Sequence, residues 1–414
     1  MKRSWLLLAI AALSTAAHAQ LGLALKNGDR VVFYGDSITD NGPYTKFAET
    51  FVRLRYPDLD VKFFNAGVGG DRVSGGWMGP IDERLTRDLF ARKPTVITVM
   101  LGMNDGGYQA SKPEIENAYK NGYQHIVDRF KKEAPQARVF LIKPSPFDDV
   151  TRAPGWPGGY NGVMKSYSDY IEGLAKSNGF ASVDLNGPMV AMLEKAKAEN
   201  AEQSTKIIGD RVHPGPAGHL IMAQSLLMSW GATPVISNVT IDAQGGKAQA
   251  FRAQVTGLTV GDKITWTQTD SGLPFPLDRK DANVALVLKS SDFDQKLNQQ
   301  NLIVNNAKPG NYALTIDGQA VGTFSAEQLS TGINLAQLET PMVAQARTVM
   351  SAVHQRADWM YQTWRQVEFN MRWADGPKRT AAIQTANDLS DDLIAKIKVA
   401  AKPLARKFEL SLVP

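Results

Sequence analysis

At 414 residues, 43% hydrophobic and 21% charged, the chain reads as a globular protein longer than one hydrophobic core usually supports, so two or three folding units are expected. Its formal net charge of +5 drops to +3 without Lys2 and Arg3, and the remaining cations are dispersed, which argues against a nucleic-acid partner. The complete absence of cysteine removes disulfides, thiolate catalysis and Cys-ligated metal together.

The first element in chain order is a leader. Lys2 and Arg3 precede an apolar stretch from Trp5 to Leu13, and Ala17-His18-Ala19 supplies a small-x-small cleavage site. That stretch falls short of the ~20 residues a spanning helix needs, and no later segment reaches that length. Residues 1–19 are therefore read as a signal peptide. The mature chain is expected to begin near Gln20, without a membrane span, in the periplasm or outside a bacterial cell.

From Leu21 to about Thr233 short β-branched runs alternate with helical stretches. Strands are expected at Arg30–Tyr34, Val61–Asn65, Thr95–Leu101, Ala137–Ile142 and Ala181–Leu185. Helices are expected near Tyr44–Tyr56, Ile81–Phe90, Lys112–Glu133, Val163–Asn178 and Met189–Glu199, with one more after Pro216. This βα alternation predicts a parallel sheet covered on both faces, with function at the carboxyl ends of its strands.

Those strand ends carry chemistry. The first strand breaks at Gly35-Asp36-Ser37, a turn that lifts a hydroxyl off a buried strand and makes Ser37 a candidate nucleophile. After the second, Asn65-Ala66-Gly67-Val68-Gly69-Gly70-Asp71 has glycines whose amides can approach a ligand closely. After the third, Gly102-Met103-Asn104-Asp105 adds a side-chain amide. Either segment can supply fixed N–H groups where negative charge develops. Of the histidines beyond the leader, His125, His213, His219 and His354, only His213 has a carboxylate at a useful offset, Asp210 in Asp210-Arg211-Val212-His213. Asp210 there can fix the imidazole tautomer while His213 accepts the serine proton. His219 reads as a packing or capping residue, and Asp36 and Asp40 as residues that order the turn and the start of a helix.

Taken together, Gly35-Asp36-Ser37, Gly70, Gly102-Met103-Asn104-Asp105 and Asp210-Arg211-Val212-His213 resemble the signature blocks of the SGNH (GDSL) hydrolases, in the same order. The resemblance implies a three-layer α/β/α, flavodoxin-like domain over residues 20–233 and a serine esterase working through an acyl-enzyme. It implies Ser37, Asp210 and His213 as the triad, and the Ser37 amide, the Gly70 amide and the Asn104 side chain as the oxyanion hole. Among Gly67, Gly69 and Gly70, Gly70 is favoured by its place just before Asp71. Such chemistry calls for no metal or cofactor.

Two loops follow strand ends with aromatic residues, Ser74–Pro80 with Trp77, and Thr151–Tyr160 with Trp156 and Tyr160. All three aromatics are candidate substrate-binding residues, with Arg152 as a polar rim. An exported enzyme with such loops fits a carbohydrate O-acetylesterase acting on an acetylated glycan. The competing readings are an arylesterase or lysophospholipase-type acylhydrolase, and a non-catalytic glycan-binding protein on the same fold.

The texture changes at Pro234. Alternating runs at Val235–Ile241, Lys263–Thr267 and Tyr312–Ile316, with Asp317-Gly318 as a hairpin signal before Ala320–Phe324, predict a small antiparallel β domain over 234–324. Trp266 in it is read either as a sugar-stacking residue or as core. Residues 325–414 are expected to be helical, with Thr340–Phe369 and Thr380–Ala401 split by Ala374-Asp375-Gly376-Pro377, either packed on the catalytic domain or forming a dimer surface.

Overall fold

The computed structural model describes residues 22–413; the expected signal peptide, residues 1–19, lies outside the described residues. The first half is built on a five-stranded parallel sheet of β1 (Asp29–Gly35), β2 (Val61–Asn65), β3 (Val96–Met100), β4 (Arg138–Ile142) and β5 (Ala181–Val183). They lie in the order β2-β1-β3-β4-β5. In β1, consecutive residues Val31, Val32, Phe33 and Tyr34 are all buried, so both faces of the sheet are covered, as a continuous apolar run in a parallel strand requires. Phe33 packs on one face against Tyr44, Phe63 and Trp230, with ring centroids 6.1 to 6.2 Å away. Tyr34, pointing the other way, lies under the Arg84 guanidinium at 4.9 Å.

The helices begin where local chemistry starts them. Helix α1 (Ser37–Asn41) is capped by the Asp36 carboxylate, which accepts the Ile38 N–H at 3.0 Å. Gly42, at φ 86°, reverses the chain into α2 (Pro43–Arg55), whose first turn holds Pro43, where a missing N–H costs nothing. Helices α3 (Pro113–Glu133), α4 (Gly159–Asn178), α5 (Asn186–Glu199) and α6 (Pro216–Ser229) complete the layers. Helix α4 starts earlier than the expected Val163 and so takes Tyr160 into its first turn. The stretch expected as one helix over Ile81–Phe90 is one α-helical turn, Ile81–Arg84, followed by π-helical Leu85–Leu89.

Because the chain leaves β1 for β2 on one side and then crosses to β3 on the other, the carboxyl ends of β1 and β3 form a topological switch point, the place where open α/β sheets bind ligands. Ser37 follows β1 and Asn104 follows β3, so both stand at that switch point.

The second half holds two more sheets. One has five antiparallel strands in the order Ala253–Val260, Lys263–Asp270, Arg406–Val413, Asn311–Ile316 and Gln319–Ser325. In the other, Val235–Asp242 pairs antiparallel with Lys247–Phe251 but parallel with Gln299–Asn305. Trp266 is core, stacked on Phe408 with ring centroids 4.9 Å apart. Phe408 belongs to the chain's last strand, Arg406–Val413, which returns to the centre of the five-stranded sheet although it falls in the segment expected to be helical. Its short alternation, Phe408-Glu409-Leu410-Ser411, becomes a strand through partners far away in sequence.

Helix α7 (Pro341–Gln362), a π-helical continuation over Thr363–Asn370, and α8 (Gly376–Ala400) pack back onto the first half, over α2 and the edge strand β2. Charge fixes their position. Arg356 donates to Glu49 at 2.6 Å with both side chains nearly inaccessible, and Glu49 also pairs with the buried Arg53 at 3.3 Å, so removing Glu49 strands buried positive charge at a cost of about 3–5 kcal/mol. Lys62–Asp391 at 2.8 Å and Lys398–Asp60 at 2.7 Å are exposed counterparts of little energetic weight. No helix among the described residues is long and apolar enough to cross a membrane.

Candidate active site

The Ser37 turn is dictated by Gly35. A Cβ there would sit 2.2 Å from Thr39 Oγ1 and 2.7 Å from the Met100 carbonyl oxygen, so only glycine lets α1 begin this close to β3. Asp36 beneath it is fully buried, and burial pushes its carboxyl up to about 7 despite the Ile38 N–H it accepts.

The acid and base come from one loop. Asp210 Oδ1 accepts the backbone N–H groups of Val212 at 2.9 Å and His213 at 2.7 Å, and Asp210 Oδ2 meets His213 Nδ1 at 2.6 Å. Partial burial opposes ionisation of Asp210, but the His213 and Val212 amides and the imidazole outweigh it and hold the carboxyl below its ordinary range. An imidazole donating from Nδ1 to that carboxylate presents Nε2 as an acceptor, and Nε2 lies 2.8 Å from Ser37 Oγ.

Arg211, between acid and base, adopts φ 72°, a conformation uncommon for a residue with a side chain. Its guanidinium holds the loop in that shape. Nε donates to the Asp148 carbonyl at 3.0 Å, Nη2 to Asp149 Oδ1 at 2.5 Å and to the Ala153 carbonyl at 3.0 Å, and the group stacks 4.8 Å over Phe147. Arg152, expected at the rim, turns inward instead. It donates to the carbonyls of Thr205, Ile208 and Gly209 at 2.8 to 3.0 Å and so supports the approach to Asp210.

The glycine loop separates its candidates by where each amide points. Gly67 N–H donates to Asn65 Oδ1 at 2.9 Å, and a Cβ at Gly67 would strike the Asp40 backbone nitrogen at 2.3 Å, so Gly67 is a packing glycine. Gly69 N–H donates to Asp40 Oδ2 at 2.9 Å. Gly70, at φ 79°, has an amide with no acceptor among the described residues and open space around it. Asn104 Nδ2 donates one hydrogen to the Asp71 carbonyl at 3.0 Å and retains a second, while Tyr108 Oη donates to Asn104 Oδ1 at 3.0 Å and so fixes which way the amide is turned. Tyr108, at φ 56°, went unremarked in the sequence; a tyrosine four residues after the asparagine carries no distinctive spacing.

The aromatic candidates divide. Trp77 is 66% exposed, and its indole N–H donates to the Gly69 carbonyl at 3.1 Å. Trp156 is half-buried, 6.5 Å from Tyr160. Tyr160 corrects the expectation of a substrate-binding residue: it is 1% exposed, and its hydroxyl donates to the Met103 carbonyl at 2.6 Å, bracing the turn that presents Asn104. The early start of α4 is what takes it inward. His219 is buried and stacked on Tyr44, and burial pushes it down to about 3, so it remains neutral and accepts the Tyr44 N–H at 3.3 Å.

Two further carboxylates lie under the site. Burial pushes Asp71 up to about 6 against the pull of Arg84, 2.8 Å away, and Asp105 up to about 7 against the Val73 N–H it accepts. Arg84 also donates to the Ala66 carbonyl at 2.9 Å, tying the glycine loop to the helical segment below it. The whole is a hydroxyl and an oriented imidazole in contact, with unengaged N–H donors on the loops that follow the neighbouring strands, which is equipment for acyl transfer. Among the described residues there is no cluster of side chains arranged to hold a metal ion.

Residues 33–221 match the model of the GDSL-like Lipase/Acylhydrolase family. An acetylxylan esterase of Geobacillus stearothermophilus is 23% identical over 233 residues, covering 50% of this chain and 97% of its own. Among solved structures, a gut microbial diltiazem-metabolizing enzyme superposes with a TM-score of 0.83 at 28% identity, over 95% of this chain and all of its own length, 100%. That likeness takes in the β sheets and the helical tail as well as the parallel-sheet domain.

Proposed function

We propose, on the premise that residues 33–221 belong to the GDSL-like lipase/acylhydrolase family and that the chain is a carboxylic ester hydrolase, that it is an exported O-acetylesterase acting on acetylated carbohydrate. The observation that carries the hydrolytic reading is the unbroken line from Asp210 Oδ2 to His213 Nδ1 at 2.6 Å and from His213 Nε2 to Ser37 Oγ at 2.8 Å. In this reading Ser37 Oγ attacks the ester carbonyl as His213 Nε2 takes its proton. The tetrahedral oxyanion receives hydrogen bonds from the Ser37 and Gly70 amides and from Asn104 Nδ2. As the C–O bond breaks, His213 returns the proton to the departing alcohol. Water then attacks the acyl-enzyme with His213 as base, and acid and free serine result.

The glycan reading draws support from the acetylxylan esterase relative and from Trp77, an exposed ring beside the glycine loop on which a sugar can stack. A second reading, an arylesterase or lysophospholipase-type acylhydrolase, draws support from the full-length likeness to an enzyme named for metabolizing diltiazem rather than a glycan. Hydrolysis rates on acetylated xylo-oligosaccharides, set beside p-nitrophenyl esters of rising chain length, separate the two. The acetylesterase reading requires acetyl release from the oligosaccharide and a steep loss of rate beyond short acyl chains; preference for long chains overturns it. Export is tested by the N-terminus of the protein recovered from a bacterial periplasm, expected near Gln20.

A further inference from the structure

The tail helices end against the glycine loop, and the contact is polar. Tyr361 closes α7, and Arg365 sits one turn later in the π-helical continuation, where Arg365 Nε donates to Tyr361 Oη at 3.1 Å. Both side chains reach Asp40. Arg365 Nη2 donates to Asp40 Oδ1 at 2.7 Å, and the Tyr361 hydroxyl donates to the same oxygen. The other oxygen, Asp40 Oδ2, accepts the Gly69 N–H at 2.9 Å. Arg365 Nη2 also lies 3.4 Å from the Gly67 carbonyl, and the guanidinium stands 5.4 Å from the centre of the Trp77 ring. Trp77 in turn donates to the Gly69 carbonyl at 3.1 Å.

These contacts act on one peptide plane. The Gly69 carbonyl and the Gly70 N–H belong to the same planar trans amide and point to opposite sides of it, so whatever holds the carbonyl aims the N–H. Asp40 pins the near end of Gly69 and Trp77 pins its carbonyl. Gly70, with φ 79° and no neighbour within 4 Å of where a Cβ would be, offers no restraint of its own. Arg365 is 8% exposed, and its guanidinium touches both restraints at once.

We propose that the C-terminal helical tail is part of the catalytic apparatus: Arg365, with Tyr361, is a positioning residue that aims the Gly70 N–H at the oxyanion through Asp40 and Trp77. The inference rests on the oxyanion-hole reading above. It predicts a defect specific to the tetrahedral state, since a misaimed donor loses more as negative charge develops than in the ground state.

The test uses the full chain with p-nitrophenyl acetate, together with a trifluoromethyl ketone whose hemiketal with Ser37 bears an oxyanion. Arg365→Ala is expected to lower kcat on the order of 10- to 100-fold with KM changed less than twofold. Affinity for the ketone should fall by the same factor as kcat/KM, with the pH profile unmoved. Arg365→Lys, which keeps the charge but loses the fork, should recover part of the loss. Trp77→Phe and Tyr361→Phe, each deleting one polar atom, should show smaller defects of the same kind, and they carry the test if Arg365→Ala does not fold. Lys398→Ala and Lys62→Ala, which cut tail contacts far from the loop, should leave kcat unchanged. Normal kcat and normal ketone affinity in Arg365→Ala, or in both conservative variants should it not fold, overturn the inference. If Ser37→Ala and Asn104→Ala also keep full activity, the oxyanion reading itself has failed; if they collapse activity while the tail variants do not, only the role of the tail has.

Discussion

The loop that carries the base and the loop that carries the oxyanion amide are held in opposite ways. Asp210-Arg211-Val212-His213 carries its acid–base wiring within itself, since the acid accepts two amides of its own loop and the imidazole; only the brace is borrowed, with Arg211 reaching the Asp148 and Ala153 carbonyls and the Asp149 carboxylate. The glycine loop is aimed from outside, by Asp40 on the nucleophile's helix, by Trp77 beyond the loop and by Arg365, 298 residues along the chain from Gly67. Proton transfer tolerates a local device because its partners are short-range. Oxyanion stabilisation needs a donor fixed before charge appears, and a glycine segment cannot fix itself.

Variants probe that contrast in descending order of effect. Ser37→Ala should lower kcat on the order of 10⁴-fold or more, since neither loop can act without the nucleophile; steady-state rates with p-nitrophenyl acetate measure it. Asn104→Ala should cost on the order of 10²–10³ in kcat through loss of one oxyanion donor, with folding intact by circular dichroism. On the other side, Arg211→Ala releases the turn at φ 72° but leaves Asp210 and His213 joined, so a loss of about tenfold is expected, smaller than for Asn104. A larger loss at Arg211 than at Asn104 would reverse the comparison.

The smallest effect concerns stability and comes from His219, the neutral neighbour of the base loop. Its imidazole is held near 3 when folded against an ordinary 6.5, so between those values the unfolded chain binds more protons than the native one, and the stability His219 contributes above pH 6.5 is lost as pH falls. Asp36, Asp71 and Asp105, raised to about 7, 6 and 7, have the opposite sign: their contribution is full below the ordinary carboxylate range and is lost as pH rises toward 7. Comparing wild type with His219→Asn isolates the first term. Urea unfolding between pH 7 and 5 should show the variant gaining on wild type by up to about 1.4 kcal/mol per pH unit; a constant difference would remove His219 from the account.

What was legible in the sequence follows the same division. Ser37, Asp210 and His213 were readable because each derives its meaning from residues within a few positions. The parallel sheet was readable because β1 and β3 are buried on both faces and show it as unbroken apolar runs. The choice of Gly70 over Gly67 and Gly69 rests in the sequence on its place before Asp71 alone; the physical reason, Asn65 and Asp40 engaging the other two amides, is not visible there. Tyr160 and Arg152 misled for a related reason: aromatic and cationic residues in a Gly/Pro loop suit a rim or a brace equally, and only the start of α4 and the carbonyls at Thr205, Ile208 and Gly209 decide. Arg406–Val413 escaped notice because its pairing partners, Lys263–Asp270 and Asn311–Ile316, lie far upstream.

The central claim is that Ser37 takes the acyl group. Rapid quenching of the enzyme with p-nitrophenyl acetate, followed by proteolysis and mass spectrometry, should find acetyl on the peptide bearing Ser37, and the adduct should be absent from that peptide in Ser37→Ala. A burst of product with acetyl on any other side chain, or turnover that persists in Ser37→Ala at the wild-type rate, would contradict the account.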